Sequence, residues 1–68
     1  MKVELNGERV DLGAEATVAD AVERAGADPA GRGLAVALDG EVVPRVEWEQ
    51  RMLGEGATVE VVHAVQGG

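Results

Sequence analysis

Apolar and polar residues alternate along the first part of the chain in the way that predicts two β-strands. Residues 2–6 and 8–12 each place their apolar side chains on one face of an extended ribbon, and those side chains belong to Val3, Leu5, Val10 and Leu12. Asn6-Gly7 separates the two segments, and this dipeptide favours a two-residue hairpin turn. The pattern therefore predicts an N-terminal β-hairpin.

The spacing of apolar residues changes after Thr17 and becomes that of an amphipathic helix. Four residues recur at helical spacing and are predicted to face the core: Val18, Ala21, Val22 and Ala25. Thr17 followed by Asp20 is typical of a capping box at the start of a helix. Gly26, followed by Asp28-Pro29, predicts where the helix ends.

Strand alternation returns in the second half of the chain. Residues 34–38 alternate large aliphatic side chains with alanines, and residues 41–43 predict a second, short strand. Asp39-Gly40 lies between these segments and favours another tight turn. Pro44 ends the short strand because it has no backbone N–H to donate.

The remaining elements complete a prediction of fold class. Residues 46–53 predict one helical or 3₁₀ turn, and residues 58–64 predict the last strand. Two hairpin-like pairs with a helix between them favour an α+β roll of the β-grasp type, with a mixed four- to five-stranded sheet and one main helix across one face. We expect one domain over residues 1–64 and a flexible C-terminal tail over residues 65–68.

The composition excludes several classes of function. The chain has 68 residues and no cysteine, so a disulfide or a thiolate metal site is excluded, and packed aliphatic side chains must stabilise the core. With 13 acidic and 6 basic side chains, the net charge of −7 repels phosphate backbones and anionic lipids, which predicts neither nucleic acid nor membrane as a partner. No apolar segment approaches the roughly 20 residues that span a membrane, and we expect a cytoplasmic protein.

Side chains that ordinarily carry catalysis or bind metals are scarce. The chain has no serine, cysteine or tyrosine, and its two threonines, Thr17 and Thr58, are explained as a helix cap and a strand residue. His63 is the only histidine, and the carboxylates around it lack the spacing of metal ligands, so we interpret it as structural. The sequence therefore predicts neither a catalytic site nor a metal site.

The chain ends in Gln66-Gly67-Gly68, and this end is the most informative feature for function. Ordering each residue costs on the order of 1–2 kcal/mol, and glycine has no side chain with which to offset it, so we expect a mobile tail. Glycine also lets the backbone thread a narrow channel and leaves the carbonyl carbon of Gly68 unhindered. Taken alone, the dipeptide fits an ordinary disordered chain end equally well.

Several motifs spread over the chain are shared with one known family. They are the segment 37–45 (ALDGEVVPR), Trp48, Glu55-Gly56 and the closing Gly67-Gly68, and the Val-Pro-Arg with Trp three residues later is the most specific. Together they resemble the ThiS family, the sulfur carriers of thiamine biosynthesis. The resemblance covers essentially the whole chain and implies a ubiquitin-like β-grasp fold. Asp39, Ala57 and His63 depart from the residues that the family commonly has.

The resemblance also implies a function and a set of partners. The Gly68 carboxylate would be adenylated by an E1-like adenylyltransferase of the ThiF type, which uses ATP, and converted to a thiocarboxylate. The sulfur would come from a donor such as a cysteine desulfurase persulfide and would pass to a thiazole synthase of the ThiG type. Gln66 and Gly67 would thread the tail into these partners. The chain is then a co-substrate that binds no cofactor of its own, and not an enzyme.

A docking surface for the partners is predicted on the face of the sheet opposite the helix. Ala35, Ala37 and Val62 fall at outward positions of their strands and are small or aliphatic. We expect them to form an apolar patch of low relief that partner enzymes cover.

Three other functions remain open from the sequence. The small subunit of molybdopterin synthase has the same fold and the same terminal Gly-Gly, although it usually has a proline-containing tail and lacks the Val-Pro-Arg-Trp pattern. A ubiquitin-like modifier would form isopeptide bonds with lysines through the same adenylated terminus. A β-grasp interaction module would have no use for a free Gly-Gly end.

Overall fold

A five-stranded mixed sheet with one helix forms the fold in the computed structural model, which describes residues 1–27 and 32–63. The elements in chain order are β1 (Lys2–Leu5), β2 (Glu8–Asp11), α1 (Val18–Arg24), β3 (Leu34–Leu38), β4 (Glu41–Val42), a 3₁₀ turn (Arg45–Glu47) and β5 (Thr58–His63). The strand order is β2-β1-β5-β3-β4, in which β1 and β5 are parallel and the other neighbours antiparallel. The predicted α+β roll and its order of elements are confirmed.

Both hairpins turn through the same local structure. Asn6 and Gly7 have φ angles of 51° and 83°, and Asp39 and Gly40 have φ angles of 50° and 84°. Two consecutive residues with positive φ are the mark of a type I′ turn, whose twist matches that of the flanking strands. Asparagine and aspartate tolerate this conformation, and glycine adopts it without strain. The two predicted turns are confirmed.

The helix α1 begins at the predicted capping box. The Asp20 N–H donates to Thr17 Oγ1 at 3.4 Å, and the Thr17 N–H donates to Asp20 Oδ2 at 2.8 Å. The prediction that Ala25 faces the core is wrong. The helix ends at Arg24, so Ala25 is its C-cap and is exposed, and Gly26 follows with a φ of 81°. Residues 28–29 of the predicted stop lie outside the described residues.

The core lies between α1 and one face of the sheet and is almost wholly aliphatic. Its most completely buried side chains are Val3, Val18, Val22, Val36 and Val59. Residues that alternate with them along the strands point to the other face, as the period of a β-strand requires. Burial of these side chains is the main source of stability in a domain that has no cysteine.

Trp48 is the only aromatic residue and fills the end of this core after the 3₁₀ turn. Its side chain is 3% exposed, and its indole N–H donates to the Val43 carbonyl at 2.9 Å. A buried indole needs such a partner because an unpaired N–H away from water is costly. Trp48 is therefore a hydrogen-bonded anchor of the core.

Replacing Trp48 with Phe should leave the Val43 carbonyl without its indole donor. We expect the free energy of unfolding to fall by about 1–3 kcal/mol in a urea titration followed by far-UV circular dichroism. The control is Val46→Ala in the neighbouring 3₁₀ turn, where the side chain is 84% exposed. This control should change the stability by no more than about 0.5 kcal/mol. Equal stability of the two variants would contradict the assignment of Trp48 as an anchor.

Replacing Thr17 with Ala should remove the side-chain acceptor of the capping box. The expected loss is about 1 kcal/mol in the same titration, because the Asp20 N–H then has no intrahelical partner. Glu23→Ala, at an exposed position of the same helix, is the matched control and should be close to the wild type. A Thr17 variant as stable as the Glu23 variant would argue against the cap.

Candidate functional site

The three predicted docking residues lie side by side on the face of the sheet opposite α1. Ala35 of β3 is paired with Val62 of β5, and Ala37 is paired with Glu60 two positions along. Val62 is 54% exposed, Ala35 is exposed and Ala37 is partly buried. The structure therefore brings these side chains together, and their role in docking stays a prediction.

Two further residues belong to this surface and were missed from the sequence. Val42 of β4 is paired with Ala37 and is 72% exposed, and Glu60 lies between the alanines and β1. With the predicted residues they line a shallow depression of about 190 Å³. We call this surface the outer-face patch, and it consists of Ala35, Ala37, Val42, Glu60 and Val62.

A signal for both missed residues was present in the sequence. A two-residue turn at Asp39-Gly40 sets Leu38 opposite Glu41, and therefore Ala37 opposite Val42. Strand alternation then places Glu60 on the same face as Val62.

Charge is distributed unevenly over the same face of the sheet. On β1 and β2, the strand register places Lys2 opposite Asp11 and Glu4 opposite Arg9, so charges of both signs alternate on that half. Over residues 1–27 and 32–63, the ion pairs join the Met1 ammonium with Asp11, and Arg51 with Glu41 and Glu47, so none involves Glu60. A single anionic side chain thus lies among the apolar side chains of the outer-face patch.

Asp11 has a lowered pKa, and it lies far from the outer-face patch. The backbone N–H of Gly13 donates to its carboxylate at 3.0 Å, and the Met1 ammonium donates to it at 3.2 Å. These hydrogen bonds, in that order, hold the pKa of Asp11 below its usual value. β2 is the edge strand remote from β3 and β4. The lowered pKa of Asp11 therefore reflects contacts near the N-terminal hairpin and has no bearing on the outer-face patch.

The two threonines and the histidine lie outside the outer-face patch. Thr17 caps α1. Thr58 is the first residue of β5, and its backbone N–H donates to Asp39 Oδ1 at 2.9 Å. His63 is exposed at the end of β5, paired with Leu34. Within the described ranges, no group of three or more His, Cys, Asp or Glu side chains is placed to hold a metal ion. The helix found there is too short and too polar to cross a membrane.

The strand that leads to the chain end is held from both sides. β5 lies between β1 and β3 in the middle of the sheet. Val61 N–H donates to Asn6 Oδ1 at 2.8 Å, on the β1 side, and β3 pairs with β5 along its other side as far as His63. The predicted site residues Gln66, Gly67 and Gly68 lie outside the described residues, as does the predicted domain boundary between residues 64 and 65.

Comparison with known proteins gives consistent matches. The model of the ThiS family matches residues 2–68. The crystal structure of a thiamine biosynthesis protein (ThiS) from Geobacter metallireducens is similar, with a TM-score of 0.78 and 26% identity over 100% of both chains. An NMR structure of a thiamine biosynthesis protein from the same organism has a TM-score of 0.77 and 26% identity, over 100% of this chain and 88% of that one. No protein of curated function gives a significant match. The structural similarity confirms the predicted β-grasp fold.

Proposed function

The chain belongs to the ThiS family, and on that premise we propose that it carries sulfur for thiamine biosynthesis on the carboxylate of Gly68. The observation that carries the proposal is the extent of the family match, which reaches residue 68 and so includes Gln66-Gly67-Gly68. The two solved structures named above are thiamine biosynthesis proteins, which favours the same pathway for this chain.

The chemistry begins with activation of a group that is otherwise unreactive. A carboxylate resists nucleophiles because its negative charge is delocalised over two oxygens. In the proposed first step, a Gly68 carboxylate oxygen attacks the α-phosphate of ATP on an E1-like adenylyltransferase of the ThiF type, and pyrophosphate leaves. The resulting acyl adenylate has AMP as a good leaving group.

The second step replaces oxygen by sulfur. A persulfide, such as that of a cysteine desulfurase, attacks the Gly68 carbonyl carbon and displaces AMP, which forms an acyl disulfide. A second thiol then attacks the donor's sulfur in the S–S bond, forms a disulfide with the donor, and releases the thiocarboxylate. Glycine suits the persulfide attack because it has no Cβ to hinder approach to the carbonyl carbon.

The loaded chain then serves as a co-substrate for a thiazole synthase of the ThiG type. ATP is bound by the adenylating partner, and the chain itself needs no cofactor. We assign these exchanges to the cytoplasm. The catalytic groups belong to the partner enzymes, and this chain supplies the carboxylate and the surface by which it is recognised.

The outer-face patch is the surface that we assign to partner docking. Val62 and Val42 expose 54% and 72% of their side chains there, and covering apolar side chains of this kind stabilises a complex. Glu60 carries the only charge within the patch, which favours a partner surface with a basic side chain opposite it. Val62 lies on β5, the strand that runs toward Gly68, so docking at the patch brings the chain end to the same partner.

Intact mass spectrometry tests the proposed loading directly. We expect the chain, incubated with ATP, a ThiF-type partner and a persulfide donor, to gain the mass difference of one oxygen exchanged for one sulfur. A variant that lacks Gly68, and another with one residue appended after Gly68, should gain nothing. Loading of the shortened variant would contradict the proposal. Stable bands of higher mass on a denaturing gel would instead indicate a protein modifier.

Replacing Val62 with Glu tests the docking surface. The substitution places a second carboxylate in the outer-face patch, so we expect kcat/KM for adenylation to fall about tenfold. Val46→Glu is the matched control, because Val46 is 84% exposed and lies outside the patch. Both variants should unfold within about 0.5 kcal/mol of the wild type, since neither valine is buried. Equal rates for the two variants would remove the patch from the docking surface.

A further inference from the structure

The side chain of Asn6 continues the β1–β5 ladder beyond the point where β1 turns away. The backbone register between these strands pairs Glu4 with Thr58 and Leu5 with Val59. The Asn6 N–H then donates to the Val59 carbonyl at 2.9 Å. The next donor along β5 is the Val61 N–H, and it donates to Asn6 Oδ1 at 2.8 Å. A side-chain oxygen thus occupies the place that the next backbone carbonyl of β1 would take.

The conformation of the turn explains why asparagine suits this position. Asn6 has a φ of 51° at the first position of the type I′ turn, and the chain must leave the sheet edge there to form β2. Among residues with a side-chain acceptor, asparagine and aspartate are those that tolerate this conformation and carry the oxygen within reach. The bond is partly buried and joins residues 55 positions apart in the sequence. Asn6 therefore both forms the turn and supports β5 through its side chain.

The supported segment is the part of β5 that leads to the chain end. On its β3 side, Val62 pairs with Ala35 and His63 pairs with Leu34. On its β1 side, the backbone register ends at Val59, and the Asn6 side chain holds Val61. Loss of this one oxygen would leave the segment 61–63 supported from the β3 side.

We propose that Asn6 is a positioning residue for delivery of the C-terminal carboxylate to the adenylating partner, an inference that rests on the proposed function. A partner that covers the outer-face patch and receives Gly68 contacts two points joined through residues 61–63. Without the Asn6 hydrogen bond, residues 61–63 gain conformational freedom. They must then be ordered before the carboxylate meets ATP, and the entropy cost of that ordering lowers the rate of the chemical step. The patch itself stays intact, since β3 still holds Val62, so docking is retained.

The other hairpin provides a matched control on the same strand. Asp39 has a φ of 50°, and its Oδ1 accepts the Thr58 N–H at 2.9 Å. Asn6→Gly and Asp39→Gly each remove one acceptor from a turn residue whose conformation glycine adopts freely. Asn6→Gly removes a hydrogen bond near the end of β5, at Val61, and Asp39→Gly removes one at its start, at Thr58.

The experiment measures pyrophosphate release from ATP by the ThiF-type partner, with each full-length variant as substrate, well below its unfolding temperature. The loss of one hydrogen bond predicts that Asn6→Gly lowers kcat about three- to tenfold, with KM for the carrier within about twofold of the wild type. Asn6→Asp keeps an acceptor and should restore kcat, and Asp39→Gly should stay within about twofold of the wild type.

Several outcomes would overturn the inference. A wild-type kcat for Asn6→Gly, or an equal loss for Asp39→Gly, would show that the Asn6 oxygen has no special part in delivery. Should Asn6→Gly fail to fold, amide hydrogen exchange of the wild type takes its place, and a Val61 N–H that exchanges as fast as an unpaired amide would overturn the inference. A wild-type chain that releases no pyrophosphate would overturn the proposed function, and this inference with it. An active wild type beside an equally active Asn6→Gly would overturn this inference alone.

Discussion

β5 occupies the centre of the sheet, and the two hairpins are held together through it. The two hairpins, β1–β2 and β3–β4, have no register with each other and are joined through β5, which pairs in parallel with β1 and antiparallel with β3. Val59 and Val61 of the same strand are buried in the core under α1. One short strand therefore joins the sheet, fills the core and leads toward the C-terminal residues.

A second constraint is the composition of the core. The chain has one aromatic residue and no cysteine, so aliphatic side chains and one tryptophan must bury enough surface to hold 68 residues together. Trp48 contributes the largest side chain and secures its orientation through a hydrogen bond to the Val43 carbonyl. This arrangement uses the inner face of the sheet entirely for stability. The outer face takes no part in this core, and its apolar half lies on β3, β4 and β5.

Local features of this fold were predictable from the sequence, because each depends on residues close together in the chain. Asn6-Gly7, Asp39-Gly40 and the Thr17 capping box follow from turn and cap chemistry, and strand alternation assigns the buried faces. Ala25 was misplaced because the periodicity of apolar residues continues one position beyond the last helical residue. Val42 was missed at the outer-face patch, although the two-residue turn implies its register opposite Ala37.

Long-range features were not predictable in the same way. The hydrogen bond from Val61 to Asn6 joins the two ends of the chain, and neither residue signals the other in the sequence. Because β5 follows every other described element along the chain, a ribosome synthesises both hairpins and the helix before the strand that unites them. Until residues 58–63 emerge, the apolar faces of the hairpins have no common partner, and contacts of such high sequence separation form late. An incomplete nascent chain therefore lacks the outer-face patch, because Glu60 and Val62 lie on the last strand to emerge.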